Sequence, residues 1–158
     1  MASYVLDTGT LLGFVRGAYY GEYVDQTYAP SQPPNIAVCS VVSIAEMRSF
    51  AVRLAWGAEK LARLDEILRG VPTVNINRPA IIEKFAEIDA YRLNRHPKHN
   101  LPAGTNNQAM GDNDIWIAAT ASVLRATLLT TDGDFDFLNN VFLKVIRIDP
   151  KMKPPAKT

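Results

Sequence analysis

Five short runs with strand character alternate with stretches of helical periodicity, and no other feature of the chain restricts its fold so far. The runs are "SYVLD", "IAVCSVV", "VPTVNIN", "ATLLTTD" and "FLKVIRID". The second is rich in β-branched residues and carries no charge, the composition of a strand covered on both faces. Between the runs, apolar residues recur every three or four positions. Strand then helix, repeated, predicts a parallel sheet joined by right-handed crossovers. The expected fold class is therefore α/β, a three-layer arrangement of about five parallel strands with helices on both faces.

A first helix is predicted over "TGTLLGFVRGAYY", with Leu11, Leu12, Val15 and Tyr19 at helical spacing. "SIAEMRSFAVRLAWG" follows the second run, with Ser43 and Glu46 in capping-box register. "AEKLARLDEILRG" sets Leu61, Leu64, Ile67 and Leu68 on one side and stops at Gly70. Pro79 suits the first turn of another helix, and "DIWIAATASVLR" is apolar nearly all round, a buried helix in which Ala118, Ala119 and Ala121 allow close packing. The segment 95–113 is polar, turn-rich and longer than most connections in a compact domain, the usual mark of a functional loop.

A chain of 158 residues fits one domain, expected over 1–149, followed by a disordered basic tail over 150–158 that holds three lysines and three prolines. Cys39 is the single cysteine and lies in an apolar run, which reads as core and points to a reducing compartment. Asp7 interrupts the N-terminus before a signal-peptide core develops, and no uncharged apolar stretch reaches about 18 residues. The expected setting is cytoplasmic, with no membrane partner. A net charge of +1 argues against a coat for nucleic acid, so any contact with a polyanion must come from a local patch.

In open parallel sheets the functional crevice lies outside the carboxyl ends of the strands. Four acids fall there: Asp7 ends the first run, Glu46 sits a turn into the following helix, Asp114 opens the buried helix and Asp132 ends the fourth run. Each has an ordinary structural use. Asp7 suits an N-cap at Thr8, Glu46 a capping box, Asp114 a first helical turn, and Asp132 a turn beside Gly133. Together they repel: at about 5 Å and an effective dielectric of about 20, each adjacent pair costs on the order of 3 kcal/mol. Such a group requires protons or cations. Oxygen donors without a cysteine cluster or a histidine-rich pocket select Mg²⁺ or Mn²⁺ over zinc, and carboxylate-held divalent metals serve attack on phosphorus.

"YVLDTGTLL", Glu46, "NDIWIAATA" and "LLTTDGDF" together resemble the PIN domain, specifically the VapC-type toxins of bacterial toxin–antitoxin pairs. The resemblance spans residues 3–148, and its two C-terminal motifs, about 18 residues apart and in order, are the specific part. It implies a PIN-like fold and a Mg²⁺- or Mn²⁺-dependent endoribonuclease whose metal-binding and catalytic acids are Asp7, Glu46, Asp114 and Asp132. Asp134 would assist, Thr130 would support the ligands with its hydroxyl, and the products would carry 5′-phosphate and 3′-hydroxyl ends. Asp112 and Asp136 lie outside the matched positions and read as ordinary surface acids. The resemblance also implies an RNA substrate, a cognate antitoxin and a homodimer. Two alternatives are a stand-alone RNA-processing nuclease and a non-catalytic PIN-like scaffold that binds RNA or protein. A haloacid-dehalogenase-type phosphatase needs a second Asp where Gly9 stands, and a phosphoacceptor receiver needs an acidic pair where Asp7 is alone.

Two features depart from the resemblance. Gly9 stands where a small hydroxyl or amide side chain is common, and 95–113 is longer than the usual short connection. Expected phosphate contacts are Arg48, Arg53, Arg95 and Lys98, with Lys60 and Arg63 on the same basic stripe as the first two. His96 and His99 read as exposed or RNA-contacting rather than as ligands. The loop 95–113 is expected to overhang the crevice and select the RNA, with Asn106, Asn107 and Gln108 available to unpaired bases. The helix from Leu61 to Leu68, with Phe50 and Trp56, is a candidate antitoxin surface.

Overall fold

The computed structural model describes residues 1–156. Strands β1 (Ser3–Leu6), β2 (Ile36–Ser40), β3 (Thr73–Val74), β4 (Thr127–Thr130) and β5 (Lys144–Arg147) form one sheet in the order β3-β2-β1-β4-β5. Every pairing is parallel, with Tyr4 opposite Ala37 on one side and Thr127 on the other. Helices α1 (Thr8–Arg16), α2 (Tyr19–Tyr28), α3 (Val41–Arg53), α4 (Ala58–Gly70), α5 (Pro79–Arg92) and α6 (Asp112–Leu124) supply the crossovers, and a short 3-10 helix, Gly133–Leu138, links β4 to β5.

Successive strand residues point to opposite faces, so each central strand feeds two cores. Val5 and Leu128 join Ile88, Ile115 and Phe135 on the face covered by α5 and α6. Leu6 and Leu129 join Leu11, Met47 and Leu64 on the other. All ten are fully buried, each contributing about 1.5–3 kcal/mol by leaving water. The α/β class and the layered parallel sheet are as the sequence predicts.

Several boundaries differ. The first predicted helix is two, because Gly17 turns left-handed at φ 60° and ends α1, and Tyr19, expected on its apolar face, starts α2 at 65% exposure. The two helices meet through glycines: a Cβ on Gly21 would lie 2.9 Å from the backbone of Gly13, and one on Gly13 would lie 2.3 Å from the Tyr20 ring. The cap of α3 is Ser40, whose Oγ accepts from the Val42 N–H at 3.2 Å. Ser43 lies inside that helix, so no capping box forms with Glu46; its buried Oγ has no hydrogen-bond partner among the described residues.

The loop 93–111 departs furthest from expectation. His96 and His99 pack their rings on Phe142 at 5.7 and 5.5 Å, and Phe142 precedes β5. The basic head of the loop therefore sits at the amino edge of the sheet, opposite the strand ends that carry the acids. Arg95 N–H donates to Ala90 O at the end of α5, and the Lys98 N–H donates to His96 Nδ1. Leu101 anchors the loop in the core. The overhang is expected because the loop runs directly into Asp114, and hydrophobic anchoring of its basic head overrides that adjacency. Pro150 and Lys151 form a turn and residues 152–156 are neither helix nor strand, with Lys153 Nζ 5.9 Å from the Tyr19 ring centre. Lys157 and Thr158 of the expected tail lie outside the described residues.

Candidate active site

Asp7 leaves β1 at the carboxyl edge of the sheet and caps α1, its Oδ1 accepting from the Thr8 N–H at 2.7 Å. Its Oδ2 accepts from the Thr130 hydroxyl at 2.6 Å, so the end of β4 grips the end of β1. Thr10 Oγ donates to Leu129 O at 2.8 Å and fixes the first turn of α1 to the same strand. Asp7 is only 5% exposed. Burial pushes its carboxyl up to about 6 despite the Thr130 and Thr8 hydrogen bonds, and the charges of Glu46 and Asp132 raise it further.

Glu46 reaches the rim from α3, where its Oε1 accepts from the Thr8 hydroxyl at 2.8 Å. Thr8 therefore positions both acids, one through its amide and one through its side chain. Asp132 caps the 3-10 helix by accepting from the Asp134 N–H at 2.8 Å, and its own N–H donates to Thr130 Oγ at 3.0 Å. Thr130 thus stands between Asp7 and Asp132, hydrogen-bonded to both.

Asp114 lies in the first turn of α6, which starts at Asp112 after a Gly111 cap. Burial, followed by the charges of Asp7, Asp132, Glu46 and Asp134, raises its carboxyl to about 7. Oxygens of Asp114, Asp132 and Asp134 lie within 4.8 Å of one another, a spacing that fits one cation. The three that cluster most tightly therefore include Asp134, and Asp7 and Glu46 are instead tied to hydroxyl and amide donors. The donors are all oxygens, the set that suits a hard divalent ion.

The expected basic stripe is dispersed. Arg48 pairs with Asp65 at 2.6 Å, Arg53 lies 5.0 Å from the Phe50 ring centre, and Lys60 lies 4.6 Å from that of Trp56. Arg63 stands over Gly17 at the end of α1. Arg95 and Lys98 belong to the loop held at the opposite edge. Two groups escaped sequence reasoning. Thr8 had a legible signal, a hydroxyl directly after the first acid, whereas Arg147, whose guanidinium lies on Gly133 between two of the acids, had none.

Away from the acids, a groove of about 920 Å³ runs between α1, α2 and α4, lined by Phe14, Asp25, Glu59, Arg63, Ile67 and Arg69. Its lining mixes apolar side chains with both signs of charge and includes no cluster of metal-ligating acids among the described residues.

No curated protein sequence matches the chain significantly. Solved structures do. A chain of the VapBC2 structure from Rickettsia felis, bound to a DNA fragment from their promoter, aligns with TM-score 0.72 at 18% identity, covering 93% of this chain and 99% of that one. VapBC-5 of Mycobacterium tuberculosis, a member of the VapBC family of toxin–antitoxin systems, aligns at 0.61 and 24% identity, with 93% and 99% covered. FitAcB from Neisseria gonorrhoeae aligns at 0.65 and 23% identity, with 93% and 97% covered. At these identities the likeness is one of fold. The profile of the PIN domain matches residues 4–139, most of the chain and every acid of the rim, and the chain belongs to the PIN domain family.

Proposed function

We propose that this protein is a metal-dependent endoribonuclease and the toxin of a toxin–antitoxin pair. One observation carries the reading: acids from β1, α3, α6 and the β4 end meet at one rim, where burial and mutual repulsion raise Asp7 and Asp114 well above ordinary carboxylates. Groups arranged at such a penalty fit a cation site. Asp114, Asp132 and Asp134 would hold Mg²⁺ or Mn²⁺, with Asp7 and Glu46 completing the acidic wall. The bound ion supplies an activated water nucleophile and neutralises charge in an in-line displacement at phosphorus.

The chain's own residues do the positioning. Thr130 and Thr8 fix Asp7 so that one carboxylate bridges β1, β4 and α1, and Thr8 aims Glu46 from α3. Burial and the neighbouring carboxylates favour the protonated form of Asp114, so a cation taken up beside it would displace protons. The resemblance to VapC-type toxins implies products with a 5′-phosphate and a 3′-hydroxyl.

The toxin assignment draws on the fold shared with the VapBC2, VapBC-5 and FitAcB structures. In this reading the groove beside α4 would receive an antitoxin segment. Ile67, from the expected surface, lines it, whereas Leu64 and Trp56 are buried in the core and serve packing. A homodimer is part of the same reading. Expressing the protein with and without the product of the neighbouring small reading frame, and sequencing RNA 5′ ends, tests both parts: cuts bearing 5′-phosphate should appear and vanish on co-expression.

A further inference from the structure

The acidic rim poses a problem for a nuclease, since RNA must bring its own negative charge to it. Of the cations first expected to help, Arg48 is engaged with Asp65, Arg53 and Lys60 lie over aromatic rings, Arg63 stands over Gly17 at the end of α1, and Arg95 and Lys98 belong to a loop at the other edge. Resting on the nuclease reading, we propose that Arg147 clamps a backbone phosphate of the bound RNA strand beside the acids.

Arg147 is the last residue of β5 and pairs in register with Thr130, so it emerges at the rim where Asp132 follows two residues later. Its guanidinium lies flat against Gly133: a Cβ there would stand 2.9 Å from both Cζ and Nη1. Gly133 separates Asp132 from Asp134, two of the three clustered acids. With the arginine in this position there is no room for a Cβ on the residue between the two acids.

Nη1 donates to Asp136 Oδ2 at 3.0 Å, which tethers the fork without burying it, and the side chain remains 59% exposed. A guanidinium has five donors, and among the described residues Asp136 engages one. The others remain available to a phosphate, which matches the planar fork. Arg147 lines an open cleft of about 310 Å³ with Asp149 and Pro150; Asp149 Oδ1 accepts from the Lys151 N–H at 2.9 Å, and among the described residues the one ion pair of Arg147 is with Asp136. The clamp thus has a floor (Gly133), a tether (Asp136) and a free face.

The experiment uses the full chain and a short single-stranded RNA oligomer. Anisotropy in Ca²⁺ follows binding and cleavage in Mn²⁺ follows turnover, both across a potassium chloride series. For Arg147→Ala, affinity and kcat/KM should fall about tenfold, and the log–log salt slope should flatten by about 0.7, one phosphate contact on a single strand. The Mn²⁺-induced rise in melting temperature should not change. Arg147→Lys should keep the slope, and Asp136→Asn, which frees the tether but keeps the cation, should also keep it. An unchanged slope in Arg147→Ala, or equal losses in Arg147→Ala and Asp136→Asn, would overturn the clamp and leave Arg147 a brace for the 3-10 helix. Arg147-dependent binding without cleavage would sink the nuclease reading and keep the clamp, cleavage with an Arg147-independent slope would do the reverse, and no RNA binding would end both.

Discussion

At the scale of single residues, the site is a balance between repulsion and a few hydroxyl donors. Asp7, raised from 3.8 to about 6, and Asp114, raised to about 7, bind protons more tightly folded than unfolded. The metal-free fold therefore loses stability as pH climbs from about 4 through 6 to 7, and the loss persists above that window. For buried Asp7 the shift corresponds to about 3 kcal/mol; for Asp114, partly exposed and screened, on the order of 1–2 kcal/mol is expected. Asp114→Asn removes a repelling charge that has no hydrogen-bond donor to lose. Without metal it should melt higher than wild type at pH 8 and match it near pH 4, and calorimetry across pH checks the crossover. Thr130→Val has the opposite effect. It deprives Asp7 of a donor and the Asp132 N–H of an acceptor, so stability should fall by about 1–3 kcal/mol and cleavage by about 10- to 100-fold. Wild-type activity in Thr130→Val would mean that the hydroxyl holds nothing of consequence.

At the scale of elements, the strands and the buried helix were legible because their signals are local: β-branched runs, an all-round apolar helix and proline at N1. What was not legible depends on partners distant in sequence. Leu11, Leu12 and Val15 continue smoothly to Tyr19 on a helical wheel, and only the packing of Gly21 on Gly13 reveals that the chain turns back at Gly17. Asp134 looked secondary because its closeness to Asp114 arises from the 3-10 helix, whose cap is Asp132 itself. The loop 93–111 misled because its polar composition hides two buried apolar anchors, Leu101 and Met110, and two histidines packed edge-on against a phenylalanine some forty positions later. A test of the helix pairing follows. Gly→Ala inside an exposed helix stabilises by about 1 kcal/mol, but Gly21→Ala should destabilise by about 1–3 kcal/mol, because the new methyl meets backbone that cannot rotate away. A denaturant midpoint equal to or above wild type would show that α1 and α2 separate freely.

At the scale of the whole molecule, the layered sheet exists, functionally, to bring acids distant in sequence to one rim, and a divalent cation that binds only the folded state must stabilise it. At about a hundredfold excess over its dissociation constant the gain is about 2.7 kcal/mol, or about 5–10 °C in melting temperature for a chain of this size. Asp114→Asn should blunt that response, and an equal shift in wild type and variant would place the ion elsewhere. Repulsion, protonation and metal response are three views of one arrangement, and catalysis is the fourth. The most direct measurement incubates the purified protein with RNA in Mg²⁺ or Mn²⁺ and reads cleavage and end chemistry for wild type, wild type in excess chelator, and Asp7→Asn. The acidic rim predicts internal cuts with 5′-phosphate ends, lost in chelator and reduced by about a hundredfold or more in a folded Asp7→Asn. Cleavage that proceeds at the wild-type rate in chelator, or in Asp7→Asn, would contradict it.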